Sequence, residues 1–258
     1  MPRPLRHDRP HDYKHLIRRW RKVAKAGGLK MVKYAEAGGY DVFVVESVRK
    51  NDAPAVYISA GIHGDEAAST EGLVSWAEKN AARLREGNFL IFPCLNPWGL
   101  VSNCRLDADG RDLNRAFHDE AVPQVAAHKQ LLGKRRFDLA LTLHEDYDAL
   151  GFYLYEVPGP KPYWGEHLTR AVSRHVPIEK RHKIEGRAAK DGIVRKSIKP
   201  DLLPTWPEAF VLYFAHCNRV FTVETPSEFH LDDRVAAQVA VLEKAVSLCC
   251  AEFAAKKL

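Results

Sequence analysis

The chain has 258 residues, 46% of them hydrophobic and 28% charged, which is enough apolar material to bury a large core in a single domain. A net charge of +6 and a pI near 9.0 would favour acidic partners, but the 39 basic residues are scattered apart from 18–25 and 180–199, which argues against a nucleic-acid protein. Five cysteines, an odd number with Cys249 and Cys250 adjacent and no CxxC pair, exclude a disulfide framework and a zinc ribbon.

The N-terminal stretch is charged and lacks the apolar centre of a signal peptide, and no run approaches the roughly 20 apolar residues of a membrane span. A soluble, cytoplasmic protein with reduced thiols is expected. Tyr13–Ala26 spaces Leu16, Ile17, Trp20 and Val23 at helical intervals and ends at Gly27–Gly28, so residues 1–28 read as a basic helix packed on the rest. Lys30–Glu36 and Tyr40–Val48 flank Gly38–Gly39 as a hairpin.

Val56–Ser59 is a short apolar strand. Gly61 and Gly64 turn the chain, and Glu66–Leu84 has the spacing of the helix that follows. Phe89–Leu95 is an interior strand closed by Asn96, Pro97 and Gly99, and the polar segment Val101–Phe117 reads as a functional loop over the sheet's edge. Val122–Leu132 is a helix. Phe137–Leu143 is a strand that delivers His144, Glu145 and Asp146 at its carboxyl end.

Gly151–Val157 is a further strand, Tyr163–His175 a helix and Pro177–Pro207 irregular and basic. Glu208–Cys217 reads as helical, Arg219–Val223 as a strand ending at Glu224, and Leu231–Ala255 as a long amphipathic helix. Strands alternating with helices predict an α/β fold, a three-layer α/β/α sandwich with a mixed, largely parallel central sheet.

Ligands gather at the carboxyl ends of strands in such sheets, and His63, Glu66, His144 and Glu224 all fall there. Two imidazoles and one carboxylate form a catalytic zinc set whose fourth position is left to water or substrate. A second carboxylate outside the metal shell can take the proton from the attacking water. Each feature alone has a plainer reading, since Glu66 could stabilise a helix N-terminus and Arg105, Asp112 and Arg115 could form a surface cluster. The remaining histidines lack matched partners, and Cys94 and Cys104 read as small packing residues.

The ordered set of HxxE after a strand, Asn-Pro-x-Gly, an Arg before Asp-Leu-Asn-Arg, a strand-end His and Thr-Val-Glu resembles the zinc metallocarboxypeptidases, including the related succinylglutamate desuccinylase and aspartoacylase branch. The likeness spans Ile58–Ser227. It implies one zinc per chain held by His63, Glu66 and His144, with Glu224 as general base and acid and Arg105 stabilising the oxyanion. It further implies that Asn114 and Arg115 hold a substrate carboxylate and that Asp112 accepts from the ring N–H of His63.

The substrate implied is a peptide or N-acyl amino acid with a free carboxylate. Glu224-Thr225-Pro226 and the Asn-Pro-x-Gly turn resemble the peptidase branch, and the size resembles compact bacterial cytosolic members such as the murein peptide amidase. The chain lacks the propeptide of secreted members, so an intracellular, constitutively active enzyme is expected. An N-acyl amino acid deacylase and a catalytically silent binding protein are the alternatives. The substrate-binding tyrosine that digestive members carry on a loop has no counterpart in 191–207, where Trp206 and Tyr213 are the nearest aromatics.

Overall fold

The computed structural model describes residues 6–195 and 205–257. Its layering follows from the alternation of side chains along the strands. In β3 (Ala55–Ala60), Val56, Ile58 and Ala60 enter one apolar core while Tyr57 enters a second core on the other face. In β5 (Leu139–Asp146), Leu139, Leu141 and Leu143 take the first face and Ala140 the second. Strands that are apolar on both faces need cover on both, and helices supply it.

The first core is covered by α1 (Tyr13–Gly27), α2 (Ala67–Lys79), α3 (Ala81–Glu86), α6 (Gly165–Val172) and α8 (Leu231–Ala255). The second is covered by α5 (Pro123–Leu132) and α7 (Glu208–Val211). This is the three-layer α/β/α arrangement expected from the sequence. Within it, α1 buries Leu16, Ile17, Trp20 and Val23, and its Arg19 reaches Glu71 of α2 at 2.6 Å.

The sheet has eight strands. Its centre is β4 (Asn88–Phe92), β3, β5 and β10 (Val220–Pro226), mutually parallel in that order. At one edge β2 (Tyr40–Glu46) and β1 (Lys30–Ala37) add antiparallel, joined by the Gly38–Gly39 turn. At the other edge β6 (Tyr153–Glu156) runs antiparallel to β10, and the short β9 (Ile193–Val194) completes the order. The parallel crossovers put the carboxyl ends of β3, β5 and β10 together, where side chains from three strands can converge.

Three elements differ from the sequence reading. The helix after β3 breaks at Asn80, whose backbone leaves helical geometry and whose Nδ2 donates to the Trp76 carbonyl at 3.0 Å. The Asn-Pro-x-Gly turn opens a short helix, α4 (Pro97–Ser102), capped by Asn96, whose last two residues fall in the segment read as a loop. Within Pro177–Pro207 the chain forms a hairpin from β7 (Lys183–Ile184) and β8 (Arg187–Ala188), while residues 196–204 of that stretch lie outside the described residues. Among the described residues, no helix is long and apolar enough to cross a membrane.

Candidate metal centre

The turn from β3 into α2 is tightly built. A Cβ at Gly64 would stand 1.8 Å from the carbonyl carbon of Gly99, so only glycine lets this turn lie against the start of α4. Gly64 N–H donates to the Cys104 carbonyl at 3.0 Å, tying the turn to the loop beyond α4. Glu66 occupies the N-cap position of α2 without capping it. Its carboxylate turns instead to two imidazoles, with Oε1 2.5 Å from His63 Nδ1 and Oε2 2.9 Å from His144 Nδ1.

All three residues are buried, and one ligand atom from each lies within 4.8 Å of the others. The other nitrogen of His63, Nε2, lies 3.1 Å from Asp112 Oδ1. If Nε2–H donates there, Nδ1 presents a lone pair to a carboxylate oxygen, two acceptors face to face. Either an extra proton or a metal cation must reconcile them.

The proton's side of that competition is visible in the electrostatics. Burial pulls the His63 pKa down, but Glu66 and Asp112 outweigh it and push it up to about 9. Burial likewise opposes ionisation of Glu66, yet the two histidines bring its carboxyl down to about 2. A donor set of two Nδ1 atoms and a carboxylate suits zinc, and Asp112 fixes the His63 ring as an outer partner does in such sites. The residues therefore fit a metal ion with a position to spare.

The loop after α4 arrives by specific contacts. Asn96 Oδ1 accepts from Gly99 N–H at 2.9 Å while its Nδ2 donates to the Leu106 carbonyl at 3.0 Å, so the Asn-Pro-x-Gly turn holds the backbone that carries Arg105. Arg105 donates to Asp112 Oδ2 from Nε and Nη2, at 3.2 and 3.0 Å, and its Nη1 lies 3.6 Å from Glu66 Oε1. Asn114 accepts from Glu208 N–H at 3.1 Å, which locks it to the start of α7. Arg115 is exposed and lines the cavity, where its Nη1 donates to the Asn114 carbonyl at 3.1 Å.

Glu224 sits on β10 directly beside His144 of β5, one strand spacing away, about 4.8 Å. Burial raises its carboxyl well above the usual range, with His144 opposing and Glu66 reinforcing the shift. His63, Glu66, Arg105, Asn114, Arg115, His144 and Glu224 all line one open cavity of about 470 Å³. Asp112 stands behind His63 rather than in the cavity wall.

Residues 52–162 match the family model of the Succinylglutamate desuccinylase/Aspartoacylase catalytic domain. A search of the curated proteins found no match. Among solved structures, one from Shewanella baltica is 24% identical with a TM-score of 0.82 and 93% of each chain covered. A metallo-carboxypeptidase from Burkholderia cenocepacia is 18% identical with a TM-score of 0.68, covering 93% of this chain and 69% of that one. A metallo-carboxypeptidase from Pseudomonas aeruginosa, in complex with (2-guanidinoethylmercapto)succinic acid, is 22% identical with a TM-score of 0.61, covering 89% and 69%. The chain is a hydrolytic enzyme of carboxypeptidase-like fold, and over residues 52–162 it is similar to the succinylglutamate desuccinylase/aspartoacylase catalytic domain.

For a carboxypeptidase-like hydrolase, the residues that sequence reasoning passed over are as telling as those it named. Trp206 and Tyr213 do not line the cavity: Trp206 packs against Phe214 and Tyr213 donates to the Pro158 carbonyl. Tyr147, Tyr153 and Tyr155 line it instead, with Glu185 and Arg187 from the β7–β8 hairpin. Tyr153 and Tyr155 share a face two residues apart on a strand that the sequence did reveal, so that signal was present. The hairpin has two-residue strands and offers no periodicity to read.

Glu145 was also given no role. Its fully buried carboxylate accepts from Ala68 N–H at 2.7 Å, Arg234 Nη1 at 2.6 Å and Thr225 Oγ1 at 3.2 Å. It thereby joins the start of α2, the end of β10 and α8 immediately behind Glu66, His144 and Glu224.

Proposed function

We propose that the chain is a zinc-dependent hydrolase that cleaves an amide beside a free carboxylate, removing the C-terminal residue of a short peptide. The observation that carries this reading is the convergence in one cavity of the His63–Glu66–His144 set, the Glu224 carboxylate and the exposed Arg115 guanidinium. Bound there, zinc would supply Lewis acidity to the scissile carbonyl and to water.

The chain's own groups would do the rest. Arg115 and the amide of Asn114 would receive the terminal carboxylate, for which a guanidinium fork offers bidentate geometry. Arg105, held by Asp112, would lie near the carbonyl oxygen as negative charge develops on it. Glu224 would take the proton from the attacking water and pass it to the departing amine. The five free cysteines support a cytoplasmic setting.

A second reading, an N-acyl amino acid deacylase, is favoured by the family match over 52–162. The two differ in the acyl side of the substrate, since a peptide needs room there for a side chain and backbone. N-blocked dipeptides should exceed acetyl and succinyl amino acids in kcat/KM, and a tenfold win for the small acyl groups would replace the first reading with the second. In either case Arg115→Ala should impair free-acid substrates strongly and their C-terminal amides hardly at all. Equal losses on both would show that Arg115 does not hold the carboxylate.

A further inference from the structure

One wall of the cavity has no task in the reaction just proposed. On β6, Tyr153 and Tyr155 stand opposite Glu224 and Thr222 of β10 in direct antiparallel register, on the cavity side of the sheet. Their rings meet edge to face at 5.7 Å. Each phenol donates to a carboxylate: Tyr153 to Asp146 Oδ2 at 2.8 Å and Tyr155 to Glu185 Oε2 at 2.6 Å. Asp148 adds a third carboxylate, and its backbone N–H donates to Asp146 Oδ1 at 2.8 Å.

Among the described residues, none of these three carboxylates has a cation within ion-pair distance. Arg187 is, among the described residues, the one cation lining this wall, and it lies over the Tyr155 ring with its guanidinium carbon 5.5 Å from the centroid. Arg181, nearby in the chain, is held by Glu179 at 2.8 Å and reaches Asp146 only through its longer-range field. The cavity is thus polarised along the strand order, with Arg105 and Arg115 toward the β3 side and, among the described residues, three carboxylates without an ion pair on the β6 side.

Glu185 is also held in an unusual way. It is the first of the two residues that turn the β7–β8 hairpin, with φ +45°, and Gly186 follows at +72°. Both positions of such a turn favour Asn or Gly, because a Cβ is crowded at positive φ. The hairpin is anchored through Ile184, which packs with Tyr153, Ala149 and Val194, so the strained position is fixed at the mouth of the cavity. An outlier of this kind at a cavity mouth is a reason to look for function there.

We propose that this wall selects a leaving residue whose side chain bears an ammonium or guanidinium group, with Glu185 setting the preference. The proposal rests on the hydrolase reading above for the orientation of the substrate. With the terminal carboxylate on Asn114 and Arg115, the side chain of the leaving residue runs past Thr222 toward Tyr155 and Glu185. The free oxygen Oε1 of Glu185 takes the cation there, and Asp146 and Asp148 deepen the negative field.

The test uses zinc-loaded protein and N-blocked dipeptides ending in lysine, its uncharged isostere norleucine, or glutamate. Lysine should exceed norleucine in kcat/KM by about tenfold or more, with glutamate poorest. Glu185→Gln keeps an acceptor for Tyr155 and removes only the charge. Glu185→Asn suits the positive φ and should melt no lower than the parent. Both should bring the lysine-to-norleucine ratio close to one. A ratio near one in the parent, or one unchanged in both variants, overturns the proposal.

Calorimetric binding of free lysine, norleucine and glutamate separates this idea from the reaction it rests on. Preferential lysine binding that both variants lose, without turnover of any dipeptide, would uphold the wall and reject the peptidase. Turnover without charge preference would do the reverse.

Discussion

At Glu208 a buried carboxylate accepts from the Tyr57 hydroxyl on one oxygen and from Ser59 Oγ at 2.8 Å on the other, while Tyr57 also lies 3.0 Å from His128 Nε2. At Glu66, on the same side of the sheet, an equally buried carboxylate faces a ring nitrogen on each oxygen, and one of those rings is already engaged by Asp112. The first cluster satisfies its carboxylate with hydroxyl donors that can rotate to suit it. The second sets acceptors against acceptors unless something positive joins them. Buried polar groups are stable when their donors and acceptors balance, and where they do not balance a missing cation is the simplest remedy. The Glu208 cluster is thus read as support for Asn114, and the Glu66 cluster as a place for a metal.

The largest effect that would sharpen this contrast lies beside the open cluster. Glu224→Gln preserves shape and removes the proton acceptor, so turnover should fall by roughly 10²-fold or more while zinc is retained. Steady-state kinetics with metal analysis on the same sample checks it, and a comparable kcat would remove Glu224 from its role.

In the closed cluster the effect should appear in stability. Tyr57→Phe leaves a buried carboxylate short of a donor and should cost about 2 kcal/mol in denaturant unfolding, with zinc content unchanged. Loss of zinc in that variant would mean that the two clusters are one.

The smallest effect concerns pH. Burial raises the Glu208 carboxyl above its ordinary value, with Tyr57 and Ser59 partly opposing. A folded-state pKa above the unfolded one means that the native state binds more proton, so this residue lowers stability as pH rises from the unfolded value toward the raised folded one. Glu208→Gln resembles the protonated form and should gain on the parent across that interval. A difference that is flat with pH would show that Glu208 is not held in this way.

The parts legible in the sequence were those with a strong period or a strong turn. β3 with the Gly61–Gly64 turn, β5 ending in His144, β10 ending in Glu224 and α8 each announce themselves through apolar alternation, glycine or helical spacing. The break at Asn80 was hidden because the apolar spacing continues through it to Leu84, and only the local geometry of one side chain ends the first helix. The β7–β8 hairpin was hidden because two-residue strands carry no period, so Glu185 could not be placed at the cavity. Glu145 could be placed at a strand end but not assigned, since its partners Ala68, Thr225 and Arg234 come together only in the fold. Chemistry carried by order in the chain was readable, and chemistry assembled from distant partners was not.

The central claim is that His63, Glu66 and His144 hold one zinc ion. Metal analysis of the purified parent after exhaustive dialysis, alongside His63→Ala, His144→Ala and Ser59→Ala, tests it most directly. The account predicts about one zinc per chain in the parent and in Ser59→Ala, and little in either histidine variant. Zinc retained at the parental level in both histidine variants would contradict it.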